Sequence, residues 1–160
     1  MDARNALKGL ATGLMSVGII ATVPSVWAAD KVFELDNFNG VAAVQGLDVG
    51  VVVGKQFLVT ASSESAEQLE NLKIRVEDDV LVVGREYRSS GFWDWWKHSA
   101  DATVMVQMPS LSVLKASSGA ELLVEGVNCE TLSIDASSGS DIEVIGRCQT
   151  ATIDASSGAG

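Results

Sequence analysis

Apolar and polar residues alternate with a period of two through the last third of the chain. Leu132, Ile134 and Ala136 interleave with Ser133, Asp135 and Ser137, and Ile142 and Val144 interleave with Asp141 and Glu143. Such alternation turns one row of side chains to a core and the other to water, as in a half-buried strand. The pattern also recurs. Ala116-Ser117-Ser118-Gly119 returns as Ala136-Ser137-Ser138-Gly139 and as Ala155-Ser156-Ser157-Gly158, at spacings of 20 and then 19 residues. Leu122-x-Val124-x-Gly126 answers in the same way to Ile142-x-Val144-x-Gly146. Each unit therefore holds two short strands, and Ser-Ser-Gly forms the corner between them, with glycine taking a positive φ. Strands this short cannot bury an apolar face alone, whereas the next unit, stacked about 4.8 Å away, covers it. The expectation is an all-β solenoid of parallel strands. Its interior ladders are Leu114, Ile134 and Ile153; Ala116, Ala136 and Ala155; Leu122 with Ile142; and Val124 with Val144. An antiparallel sandwich is the competing arrangement.

Short strands and hairpins precede these units. Runs 41–45, 48–53 and 56–61 are rich in β-branched or apolar residues and are punctuated by Gly40, Gly46, Gly50 and Gly54, which marks strands separated by turns. Runs 73–76 and 80–83 form a hairpin around Glu77-Asp78-Asp79. Only 65–72, with Leu69 and Leu72 three apart, has helical spacing, enough for one or two turns over the start of the sheet.

The first 28 residues have the pattern of an export signal: Arg4 and Lys8, an apolar run over 10–23, and the small-residue exit Val26-Trp27-Ala28. Cleavage is expected after Ala28, which leaves 29–160 as one domain. An uncleaved membrane anchor is the alternative, which Pro24 and the Ala-rich exit disfavour. Without 1–28 the chain has 20 acidic and 9 basic residues, a net charge of −11. Nucleic acid is excluded as a partner, because a phosphate backbone is held by concentrated Lys and Arg.

Several stretches carry a family resemblance. Val104 to Pro109 reads Val-x-Val-x-Met-Pro, and the repeats read SSGAELLVEG, LSIDASSGSDIEVIG and TIDASSGAG. With Phe38-Asn39-Gly40-Val41 and Gly46-Leu47-Asp48-Val49, these resemble the head GIN domain, an auto-transporter adhesin family, over the whole chain after its first 30 residues. The resemblance implies a right-handed β-helix in an exported bacterial protein of the periplasm, cell surface or medium. It supplies no catalytic residues.

The candidate chemistry is sparse. Tyr87, Phe92, Trp93, Trp95, Trp96 and His98 crowd one loop. That loop is either a lid over one end of the solenoid or an exposed platform for sugar rings, a membrane interface or a protein partner. His98 is the only histidine, which leaves zinc or a Ser-His triad without support. Ser138-Gly139-Ser140-Asp141 has a faint likeness to calcium-binding repeats, but their nonapeptide period is absent. No cofactor, metal or catalytic residue is assigned. Cys129 and Cys148 fall at nearly the same corner of adjacent turns, offset by one residue, and in an oxidising compartment they are expected to form a disulfide.

Two functions follow. One is a non-catalytic envelope or surface module that binds a glycan or another surface protein. The alternative is a carbohydrate-active β-helix whose acid pair comes from Asp135, Asp141, Glu143 and Asp154. Gly160 stands where a further strand is due, so the chain is expected to be a fragment, truncated at the C-terminus, with an uncapped edge open to self-association.

Overall fold

The repeat spacing becomes strand register. A computed structural model describes residues 29–86 and 102–160. Their elements in order are β1 (Ala29–Phe33), β2 (Gly40–Val44), β3 (Asp48–Val53), β4 (Leu58–Ser63), α1 (Ala66–Glu70), β5 (Leu72–Glu77), β6 (Val80–Arg85), β7 (Ala102–Met108), β8 (Val113–Ser117), β9 (Glu121–Ala136) and β10 (Asp141–Ala155). All ten strands join one sheet, in the order β1-β4-β7-β3-β9-β8-β2-β6-β5, with β10 added beside β9. The fold is all-β, a nearly closed barrel-shaped sheet.

Within it run two parallel ladders. One stacks β6, β2, β8, the second half of β9 and the second half of β10. The other stacks β7, β3, the first half of β9 and the first half of β10. The inward rows are those expected from the repeat. Leu114, Ile134 and Ile153 are in register, as are Ala116, Ala136 and Ala155. Leu122 meets Ile142 and Val124 meets Val144. Each row also extends backwards, Leu114 through Val41 to Leu81 and Ala116 through Ala43 to Val83. Burial fades along a row: Leu114 is wholly buried, Ile134 partly, and Ile153 is 67% exposed. Each layer is covered by the next, and β10 has a neighbouring strand on one side only among the described residues, with Gly160 beside Ile142 on the other.

Two expectations need correction. First, the short strands do not merely precede the stacked units. β2 and β3 lie inside the ladders, between β6 and β7 on one side and β8 and β9 on the other. β1, β4 and β5 run antiparallel to their partners, so the sheet is not a uniform stack of parallel turns. Second, Gly126 and Gly146 are not equivalent. Gly146 pairs with Val127, and the register shifts between Ile145 and Gly146. Gly126, at φ 75°, is the extra residue of a β-bulge. That bulge is why the spacing drops from 20 to 19, and it absorbs the one-residue offset of the cysteines. Cys148 therefore lies directly beside Cys129, and the two are bonded, with Cα atoms 4.6 Å apart.

The corners are tighter than a single glycine requires. Ser118-Gly119, Ser138-Gly139 and Ser157-Gly158 all have two consecutive positive φ values, as does Gln45-Gly46 between β2 and β3. The corners also stack. Gly46 N–H donates to Ser118 O, Gly119 N–H to Ser138 O and Gly139 N–H to Ser157 O, at 3.0 to 3.2 Å. The ladder of backbone hydrogen bonds thus continues around the turn, which satisfies groups that would otherwise be lost there. Ser140 adds a side-chain bridge: its buried hydroxyl donates to Ala116 O or Ser137 O, both at 2.9 Å, and accepts from Ser137 N–H at 3.1 Å. The serine singled out for calcium is thus engaged with backbone.

Candidate binding face

The aromatic loop residues Tyr87, Phe92, Trp93, Trp95, Trp96 and His98 lie outside the described residues, as does the whole of 1–28. The chain leaves β6 beside the end of β2 and re-enters at β7 beside the start of β3, since Ala43 pairs with Val83 and Asp48 with Thr103. β6 and β7 thus belong to the same two ladders that Gln45-Gly46 joins one layer away.

The four carboxylates proposed as an acid pair are all exposed and fall on different ladders. Asp135 and Asp154 are neighbours on the outside of the β8 ladder, and Asp141 and Glu143 stand on the outside of the β3 ladder. No cluster of three or more His, Cys, Asp or Glu suited to a metal ion occurs among the described residues.

A different feature emerges from register. Side chains on the outside of β1, β4, β7, β3, β9 and β10 form three rows that cross the sheet. The first runs Asp30, Ser62, Thr103, Asp48, Glu121, Asp141. The second runs Val32, Thr60, Met105, Gly50, Leu123, Glu143. The third runs Leu58, Gln107, Val52, Glu125, Ile145. Successive rows are two residues apart along the strands, about 7 Å.

Six of the large hydrophobic side chains exposed on the protein therefore share one face. Val32, Met105 and Leu123 occupy the middle row, and Leu58, Val52 and Ile145 the next, each at least 39% exposed. Met105 lies over Gly50, where an added Cβ would come within 2.6 Å of its sulfur. Exposed single hydrophobics are ordinary, but a contiguous set is the mark of an interaction surface. The face carries acids and no Lys or Arg in any of the three rows. The acids of the first row stand side by side, with Asp48, Glu121 and Asp141 on consecutive strands. Like charges in that position destabilise a sheet. Among the described residues, Asp30 alone of these acids has a side-chain partner, accepting from the Ser62 hydroxyl at 2.6 Å.

Basic residues lie outside these three rows, with Lys31 and Arg147 on the same strands, β1 and β10. In the β5–β6 hairpin, Lys73 Nζ is 2.9 Å from Glu86 and Arg75 Nε 2.6 Å from Glu77. The hydrogen bond to Glu77, and then its charge, raise the pKa of Arg75. Lys115 stands outside the other ladder beside Asp135. Inspection of the sequence misses this face because its rows join residues from six strands. Alternation alone marks each as outward, with no indication of which strands are neighbours.

A sequence model described as "Putative auto-transporter adhesin, head GIN domain" matches residues 37–160. No curated protein matches the sequence. The fold is similar to that of a putative adhesin from Bacteroides fragilis, at TM-score 0.69 and 12% identity, covering 85% of this chain and 62% of that one. It is similar also to a putative adhesin from Parabacteroides distasonis, at TM-score 0.71 and 16% identity, covering 82% of this chain and 54% of that one. A putative adhesin from Parabacteroides merdae matches at TM-score 0.61 and 16% identity, over 79% of this chain and 52% of that one. The chain thus spans between 52% and 62% of the length of these proteins. At such identities the likeness concerns the fold alone. The family match, running from Asn37 to Gly160, is the basis for the conclusion that the chain belongs to the head GIN domain family.

Proposed function

We propose that this head GIN domain is the non-catalytic binding module of an exported envelope or surface protein. The observation that carries the reading is the gathering of six exposed hydrophobic side chains on the outside of β1, β4, β7, β3, β9 and β10, in a family described as adhesin-like. Export through a signal cleaved after Ala28 belongs to the same reading, and the Cys129–Cys148 disulfide supports it, since such bonds persist in oxidising compartments. Winding of the ladders as a right-handed solenoid is part of the same proposal, because parallel crossovers are almost always of that hand. The aromatic side chains of 87–101 are suited to add stacking contacts on glycan or protein.

A purified 29–160 protein should be retained on bacterial envelope preparations and should leave their polysaccharides intact. No retention on any envelope fraction would sink the reading. Release of new reducing ends would replace it with the carbohydrate-active alternative. Mature protein from the exporting cell should start at Ala29, and an intact Met1 in the membrane fraction would contradict the cleavage.

A further inference from the structure

We infer that the outer face of β1, β4, β7, β3, β9 and β10 docks a cationic, amphipathic polypeptide surface: one that presents alternating apolar and Lys or Arg side chains. The inference rests on the binding-module reading and assigns its face and its class of partner. The apolar middle of the face is formed by Val32, Met105 and Leu123, with Leu58, Val52 and Ile145 in the next row. Burial of such side chains drives association in proportion to the area removed from water.

Charge selects among occupants. The row beside the apolar middle holds Asp30, Asp48, Glu121 and Asp141, while Glu125 and Glu143 stand within the other two. The side chains of Asp48, Glu121 and Asp141 come from strands about 4.8 Å apart, well inside the screening length of about 10 Å, so their fields add. A second copy of this chain would bring acids against acids. An anionic bilayer would be repelled for the same reason. A glycan would find no aromatic side chain in any of the three rows on which to stack. A polypeptide with cations about 7 Å from its apolar side chains meets both kinds of row at once, and it relieves the repulsion among the acids of the first row.

The test measures fluorescence anisotropy of three labelled peptides: alternating Leu-Lys, alternating Ser-Lys and alternating Leu-Glu. The Leu-Lys peptide should bind, about tenfold or more tighter than Ser-Lys, and Leu-Glu should not. Met105→Ser with Leu123→Ser should weaken it about tenfold. Asp48→Asn with Glu121→Gln should weaken it and flatten its salt dependence, while Asp135→Asn with Asp154→Asn, the same loss of charge from the other ladder, should leave it unchanged. Equal losses from both charge pairs, or no preference for Leu-Lys over Ser-Lys, would overturn the inference. A concentration-dependent dimer abolished by Met105→Ser and Leu123→Ser would give the face to a second copy instead. Neutral vesicles released by the same variants would give it to lipid. Envelope retention that survives those two substitutions would sink the assigned face and leave the module reading standing.

Discussion

Ser138 and Gly139 show how little of a corner is a matter of space. A Cβ at Gly139 would meet nothing within 4 Å, yet its φ of 72° is one that L side chains rarely adopt. Gly139→Ala should therefore destabilise by about 1 kcal/mol through the backbone alone. Ser138, at φ 56°, already bears that strain, and asparagine tolerates it better. Ser138→Asn should raise the melting temperature in thermal denaturation while Gly139→Ala lowers it. Gly146 differs from both. Its Cβ would strike the backbone of Val127 across the bulge, so Gly146→Ala forces β9 and β10 apart. The inward alanines make a related demand. Ala136 sits between Ala116 and Ala155 and is 3% exposed, so Ala136→Leu should cost roughly 1–3 kcal/mol by overpacking. Ser133→Leu, on the outside of the same strand, should change stability by less than about 0.5 kcal/mol. Equal losses in urea denaturation would mean that the register is wrong.

β10 is the element held least by burial. None of its side chains is fully buried, and it pairs with β9 alone among the described residues. The disulfide to Cys129 restrains it where the core covers it only in part. Such a bond, closing a loop of about 20 residues, contributes roughly 3 kcal/mol. Cys148→Ser should lower stability by about that amount, and hydrogen exchange should rise in 141–155 before it rises in β3 or β7. Uniform exchange across the sheet after reduction would contradict this. The elements differ in how far they could be read in advance. β9 and β10 were legible because period-two alternation and a 20-residue echo are local signals that agree. The hairpin of β5 and β6 was legible from Asp78-Asp79, both of which take positive φ. β1 was missed, since Lys31, Val32 and Phe33 show no clean alternation of polar and apolar. The place of β2 and β3 inside the ladders was illegible for a different reason. Their partners in β8 and β9 lie far along the chain, and no periodicity links Val41 to Leu114 or Val49 to Leu122. The bulge at Gly126 was hidden by the very likeness of the repeats, which align two glycines that the backbone uses differently.

On the scale of the whole molecule, exposed apolar side chains and acids are gathered on one face. The core is enclosed by both ladders, the Lys73–Glu86 and Arg75–Glu77 pairs belong to the β5–β6 hairpin, and the acidic, apolar face spans six strands on the outside of the β3 ladder. The carboxylates of that face are exposed on the outside of the sheet. Met105 and Met108 report on this arrangement within one strand. Met105 is on the outer face and 46% exposed, while Met108 points into the core and is fully buried. The most direct measurement is the rate of peroxide oxidation at these two methionines, by mass spectrometry, in free protein and in protein bound to envelope. Free protein should oxidise at Met105 far faster than at Met108, and binding should slow Met105 alone. If the two oxidise alike, the register is wrong; if Met105 oxidises as fast bound as free, this face is not the one that binds.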